Sequence, residues 1–403
     1  MNKTAIAMLV SMLALSAGMV RAADVPEAIS FGAAVQLTGA NANTGRYYRD
    51  AYSLTIDKIN EKGGLKLGDK PVPITLRLLD NQSDVNLGVR EYVELVTRDK
   101  VNFLLGPYSS NDAIDDSSVA EKYQIPMVQG GGASTQIYSR GYKYVFGTLP
   151  AADDYFASTI EMLGKLEPRA KTVALITADD AFDTSVAKGT RKILQRSGLE
   201  IVLDQTYTAK SSDFSSLLAQ IKSKEPDVVL WGGLEPEVLN AVRQAKGLDA
   251  SPKLMASYTV GVPTADFRKA LGADAEDTFG MTAWLPSADL KDDWFGDAAA
   301  FAQAYKDKFG YDPDYHAAAG AAAVETLVKA IESAGTLDPA KVRDAIAKSD
   351  FASLYARIRF GETGQISVPQ IVIQIQRGQV TEVYTDRLVN KPIFPVPPWG
   401  KRG

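Results

Sequence analysis

From Ile29 onward the chain alternates short runs of β-forming residues with amphipathic helices, and it does so twice. Such alternation requires parallel sheets covered on both faces, because parallel neighbours need a crossover long enough to hold a helix. In the first run ISFGAAV (29–35), VPITLRLL (72–79) and VNFLLG (101–106) read as strands. Between them, Tyr52, Ile56 and Ile59, then Val89, Tyr92, Val93 and Val96, recur at helical spacing. The second run begins near residue 170, with TVALITA (172–178), IVLDQTY (201–207), DVVLWGG (227–233) and KLMAS (253–257) as strands. Phe214, Leu217, Leu218 and Ile221 supply the helical stripe that packs on them. A chain of 403 residues is too long for one hydrophobic core. The expected fold class is therefore α/β with two similar lobes, each a mostly parallel sheet flanked by helices.

After both runs the sequence changes character. Ala-rich helices are expected at 291–308 and 314–333, and a third after Asp338-Pro339, where Asp338 can cap and Pro339 suits the first turn. VPQIVIQIQRGQVTEVY (368–384) reads as strand, turn at Arg377-Gly378, and strand. Segments that arrive once both lobes are complete must return to them, which predicts a hinge of several crossovers. The expected division is 1–22 as a leader, 23–149 with 281–352 as one lobe, 150–280 with 353–386 as the other, and 387–403 as a tail. Pro392, Pro395, Pro397 and Pro398 keep that tail from being helix or central strand, so it should run extended along the surface.

The first residues, MNKTAIAMLVSMLALSAGMVRAADVP, decide where the chain works. A basic start at Lys3, an apolar run from Ala5 to Val20 and the small-x-small site Val20-Arg21-Ala22 make an export signal cleaved after Ala22. The apolar run falls short of the ~20 residues of a spanning helix. With no cysteine there is neither a lipoprotein anchor nor a disulfide, so the expected compartment is a bacterial periplasm and the expected stabiliser is core burial. Loss of Lys3 and Arg21 takes the formal charge from −5 to −7. An acidic chain without a basic cluster excludes nucleic acid and anionic membranes as expected partners. A single histidine, His316, without HExxH-like spacing argues against a metal site, and no cofactor is expected.

Four segments carry a resemblance: AVQLTGANANTG (34–45), IDKINEKGGL (56–65), LLGPYSSNDAIDDSSVAEKYQIPMV (104–128) and SRGYKYVFGTLP (139–150). In this order and spacing the chain resembles the leucine/isoleucine/valine-binding family of periplasmic solute receptors, which serve ATP-driven importers. The resemblance spans about residues 29–385. It implies the two-lobed fold of type I periplasmic binding proteins, a small-molecule ligand in the cleft, and an inner-membrane permease with its ATPase subunits as partners.

In open parallel sheets the usable crevice lies beyond the carboxyl ends of the strands. Ser109-Ser110-Asn111 follows the strand VNFLLG and precedes a helix, so Ser110 can offer a hydroxyl together with free backbone N–H groups to an anion. Capping of their own helix is the plainer role of these serines and is compatible with it. Gly130-Gly131-Gly132-Ala133-Ser134 lies where the family places a second carboxylate-binding loop; its glycines let backbone approach a ligand, and a flexible turn is the alternative. Ala133 stands at the family's usual threonine, leaving open whether Ala133 or Ser134 reaches the ligand.

The second lobe departs from the family pattern. Phe182 occupies a usual tyrosine position in ADDAFDTS, and in MASYT Tyr258 stands where an acidic residue usually pairs with the ligand's ammonium. A buried ammonium without a carboxylate is costly, so an α-amino acid becomes a disfavoured ligand. Asp179, Asp180 and Asp183 are alternative sources of that charge, although caps are their commoner role. Tyr47, Tyr108, Tyr155, Phe182, Trp231, Tyr258 and Trp284 stand at loop positions around the inferred cleft, and each also has a core reading. Leu234 follows a strand of the same lobe and joins the expected site. Arg46 could strengthen the anion end, though an arginine opening a helix is usually solvated. His316 begins an Ala-rich helix of a kind that borders the cleft in the family, and a partly buried helix-start residue is its structural alternative. An exported hydrolase built on His316 lacks a Gly-x-Ser-x-Gly elbow. The expectation is thus a monomeric, non-enzymatic receptor that closes on a small organic acid, most of all an aromatic carboxylate, with branched-chain amino acids as the rival ligands.

Overall fold

A computed structural model describes residues 26–402, and the leader expected at 1–22 lies outside them. The first sheet has five parallel strands in the order Ile74–Asp80, Ile29–Val35, Phe103–Leu105, Met127–Gln129, Val145–Gly147. Its register runs from Ile29 opposite Ile74 to Val35 opposite Asp80. The second sheet has seven, in the order Gln379–Tyr384, Ile371–Gln376, Phe279–Thr282, Met255–Tyr258, Val228–Trp231, Thr172–Ala178, Glu200–Tyr207. Five of these are parallel, and the 371–384 hairpin adds on antiparallel through Phe279–Thr282. The expected two-lobed α/β class is the observed one.

Strand order fixes where a site can form. Each sheet has a point where consecutive strands lie on opposite sides of the first: between Ile29–Val35 and Phe103–Leu105 in one, and between Thr172–Ala178 and Val228–Trp231 in the other. Loops diverge at such switch points and leave a crevice at the carboxyl ends. Here those loops carry Ser109 and Ser110 in the first lobe, and Phe182 and Leu234 in the second.

The helices form for the reasons the pattern gives. In Ala42–Glu61 the stripe of Tyr52, Ile56 and Ile59 is buried against the first sheet. Helix Tyr315–Ala334 is entered through Asp314, whose carboxylate caps it by accepting the N–H groups of His316 and Ala317. The expected helix at 291–308 begins only at Ala298. Before it Asp292 accepts the N–H groups of Trp294, Phe295 and Gly296 in a turn, and Asp297 then caps the helix at Ala300. A second difference concerns the return to the second lobe, expected from 353. Gly147 instead pairs with Gln365, and its N–H donates to Gly364 O at 2.8 Å, so residues 364–366 extend the first sheet and the return comes with Ile371–Gln376. Phe279–Thr282 likewise keeps residues 281 and 282 in the second sheet. The tail runs extended on the second lobe through Val396 N–H to Leu254 O and Ile393 N–H to Gln374 Oε1, then closes in a short turn at Trp399–Lys401.

Candidate functional site

Between the lobes lies a small, nearly filled cavity with about 20 Å³ open to a water-sized molecule, lined by Tyr108, Ser109, Ser110, Gly131, Ala133, Leu149, Tyr155, Phe182, Leu234, Val260, Tyr315 and His316. The lobes touch across it. Ala181 N–H donates to Asn111 Oδ1 at 3.0 Å, Ser134 and Ser185 hydroxyls lie 2.7 Å apart, and Arg46 pairs with Asp266.

The polar end of the cavity is built around Ser110. Helix Ser110–Tyr123 starts there, with Asp112 reaching back to accept from Ser109 Oγ at 3.1 Å. First-turn N–H groups have no intrahelical acceptor, so those of Ser110 and Asn111 face outward at the positive end of the helix. Ser110 Oγ accepts the N–H groups of both Ala133 and Ser134 at 3.1 Å. With its lone pairs engaged, its own proton is left to donate into the cavity.

That arrangement changes the role expected for the glycine loop. Gly131 and Gly132 N–H both donate to Gln129 Oε1, at 2.9 and 2.6 Å, so the four loop N–H groups from Gly131 to Ser134 already have protein acceptors. Glycine is needed at 131 for close approach to protein: a Cβ there would sit 2.0 Å from Pro107 O. Gly132 packs against Ile137 and Ala113 outside the cavity wall. Ala133 lines the cavity, whereas the Ser134 hydroxyl meets Ser185 and accepts from Gln136 N–H as a cap.

The other wall is aromatic and apolar. Tyr155 and Phe182 meet edge to face with ring centres 4.9 Å apart. His316 is buried among Tyr47, Tyr48, Tyr108 and Tyr315, and its Nδ1 lies 2.7 Å from Asp314 Oδ2. That contact orients the ring and leaves Nε2 for the cavity. Thr259 Oγ bonds the N–H and C=O of Gly233, 3.0 Å each, which sets Leu234 and Val260 side by side.

Several expected site residues lie elsewhere. Tyr258 ends its strand opposite Trp231, and paired residues of parallel neighbours share a face; both are buried in the core of the second lobe. There burial pushes the Tyr258 hydroxyl up to about 12, beside Arg402 of the tail. The chain reaches the cavity two residues later, at Val260. Trp284 packs on Phe301 and donates from Nε1 to Leu354 O at 2.8 Å, away from the cavity. Tyr47 stands behind His316 rather than on the wall, and Arg46 is spent on Asp266. Asp180 caps its helix at Asp183 N–H, and Asp179 accepts from Ala209 N–H. Asp183 is fully buried behind Gly232, and desolvation raises its carboxyl well above the usual range.

Sequence reasoning missed Leu149, Val260 and Tyr315 on the wall, and Glu235 behind it. Tyr315 adjoins His316, and the helix-cap position of Asp314 was the available signal for both. Glu235 opens helix Glu235–Gly247 and is only 2% exposed, with the Thr264 hydroxyl beside its carboxyl as a donor. Burial and the nearby Asp266 and Asp314 push its carboxyl up to about 8, against the opposing pull of Arg46. Among the described residues no group of His, Cys, Asp and Glu is arranged to hold a metal, and no helix is long and apolar enough to cross a membrane.

Comparison with known proteins gives a consistent picture. A family model described as periplasmic binding protein matches residues 28–379. The Leu/Ile/Val-binding protein homolog 7 of Brucella suis is 27% identical over 390 residues, covering 93% of this chain and 96% of that one. Among solved structures, LivJ of Streptococcus pneumoniae in complex with isoleucine superposes with a TM-score of 0.80 at 22% identity, over 89% of this chain and 99% of that one. A solute binding protein of an ABC transporter from R. palustris, in complex with benzoate, superposes with a TM-score of 0.77 at 18% identity, over 91% and 99%. At these identities the structural likenesses establish the fold alone.

Proposed function

The chain belongs to the periplasmic binding protein family, and on that premise we propose that it is the receptor of an ATP-driven importer that captures an aromatic carboxylate. The observation that carries this reading is the composition of the cavity wall. None of its twelve residues is an Asp, Glu, Lys or Arg, its sides are aromatic and aliphatic, and a donor end is concentrated at Ser110. A carboxylate fits the outward Ser110 hydroxyl and helix N-terminus, while a flat ring gains from burial and from edge contacts worth ~0.5–1.5 kcal/mol per aromatic pair. Export with cleavage after Ala22, and delivery to an inner-membrane permease with its ATPase subunits, complete the proposal. We divide the lobes where the chain passes between sheets, after Gly147, after Thr282 and before Ile371, which supports a three-segment hinge.

The position expected to distinguish the ligand was Tyr258; Val260 takes its place in supporting the reading, because an apolar residue on the wall offers an ammonium nothing. A branched-chain amino acid is the second reading, favoured by the relatives' names and by the buried carboxyl of Glu235 behind the wall. Side-by-side calorimetry of the exported chain decides between them. Benzoate should bind at least ~100-fold more tightly than leucine, a gap of ~2.7 kcal/mol. Tighter binding of leucine would overturn the aromatic assignment.

A further inference from the structure

Two contacts between the lobes converge on one residue, Ala181, which opens helix Ala181–Ser197 of the second lobe. Its N–H donates to Asn111 Oδ1 of the first lobe at 3.0 Å, and its C=O accepts from Ser185 Oγ at 3.2 Å. The Ser185 proton is spent there, so the 2.7 Å contact with Ser134 runs the other way: Ser134 donates to Ser185 and itself accepts from Gln136 N–H at 3.3 Å. This chain of donors starts in helix Thr135–Tyr138 of the first lobe and ends in the first turn of the second lobe's helix. Ser134 and Ser185 are at most 2% exposed, whereas Asn111 stands at the open edge of the cleft. None of Asn111, Ser134, Ala181 and Ser185 lines the cavity, yet three of them adjoin residues that do: Asn111 follows Ser110, Ser134 follows Ala133, and Ala181 precedes Phe182.

We propose that Asn111 and the Ser134–Ser185 pair form a latch on helix Ala181–Ser197 that holds the lobes together whatever molecule lies between them. Asn111 and Ser185 are then positioning residues that set affinity without touching the ligand. The inference goes beyond the aromatic-acid reading and does not rest on it. The Ala181 N–H sits at the first helical position, where the helix itself offers no acceptor, and the Asp180 cap is taken by Asp183 N–H at 2.8 Å. Asn111 supplies the missing acceptor from the opposite lobe. Its two neighbours on the first lobe are already tied together, because Ser110 Oγ accepts the N–H groups of Ala133 and Ser134. The latch therefore brings Phe182 against a wall held in fixed register. A ligand that binds only the closed lobes has its affinity scaled by the population of that state, so the latch multiplies every affinity by one common factor.

The chain has no cysteine, so a Ser134→Cys/Ser185→Cys variant reads the contact directly and without ligand: mild oxidation should join the two lobes by an intramolecular disulfide. Asn111→Ala in that background should slow the cross-link ~2- to 10-fold, the worth of one hydrogen bond. Ala181→Pro removes the donor instead, at the helix position that proline favours, and should slow it by the same factor. The two changes together should slow it no further, since both delete one bond. In the cysteine-free chain, melting curves should leave Asn111→Ala and Ala181→Pro near the wild type, while calorimetry shows benzoate and leucine weakened by one common factor. Absence of the disulfide, a cross-linking rate indifferent to both substitutions, or additive losses overturn the latch. A loss confined to benzoate or to leucine makes Asn111 a ligand contact and refutes it as well. Failure of benzoate to bind overturns the aromatic-acid reading alone, because cross-linking is measured on the ligand-free chain.

Discussion

Replacing Ser110 by alanine should damage two things at once, and the two can be measured apart. Its Oγ accepts from Ala133 N–H and Ser134 N–H at 3.1 Å each, within a wall where Ser110 and Ala133 are almost wholly buried. Ser110→Ala strips both N–H groups of their acceptor, and at ~0.5–1.5 kcal/mol net per hydrogen bond the ligand-free protein should lose ~1–3 kcal/mol of stability. It also removes the one side-chain donor aimed at the carboxylate, a charge-assisted bond worth ~1.5–3 kcal/mol, so affinity should fall roughly 10- to 150-fold. Urea unfolding reads the first effect and calorimetry with benzoate the second. Ser109→Ala is the control, since the Ser109 hydroxyl is turned to Asp112 and its loss should weaken binding less. Lost affinity with an unchanged urea midpoint would mean that the loop N–H groups serve the ligand rather than Ser110. If both quantities stay at their wild-type values, Ser110 is not part of the site at all.

Burial raises the Glu235 carboxyl from an ordinary 4.5 to about 8 with the lobes in contact, so a closing motion that removes its water should take up a proton. The closing free energy is then fully available below pH ~4.5 and is lost as pH rises toward ~8; benzoate affinity should fall by up to ~10-fold per pH unit in that window, and Glu235→Gln should flatten the profile. A flat wild-type profile between pH 5 and 8 refutes this linkage. Arg46 and Asp266 form a partly exposed interlobe pair, so Asp266→Asn should weaken benzoate binding only ~5-fold, about 1 kcal/mol, and high salt should mimic it in the wild type. Small-angle scattering should show the radius of gyration of the ligand-free variant unchanged or larger; a smaller value would argue that the pair does not hold the lobes together.

Much of this protein follows from local pattern. The twofold β/α alternation determined two parallel sheets, because residue period and crossover length are properties of short segments. Loops after strands were legible as site loops for the same reason, and Ser109, Ser110, Phe182 and Leu234 all reach the cavity from them. His316 was placed through its position at a helix start. What remained undecided was the direction in which side chains face once a strand has ended. Tyr258 and Val260 are two residues apart, yet one is sealed in the second core and the other lines the cavity, since sheet register and the Thr259–Gly233 bonds set that turn. The loop glycines similarly read as ligand-binding backbone, whereas the side chain of Gln129 already holds their N–H groups and Ser110, more than twenty positions earlier, holds those of Ala133 and Ser134. Glu235 is the extreme case: in sequence it is one more acidic residue in the first turn of a helix. Only the tertiary structure, which buries it near Asp266 and Asp314, takes its water away and raises its carboxyl.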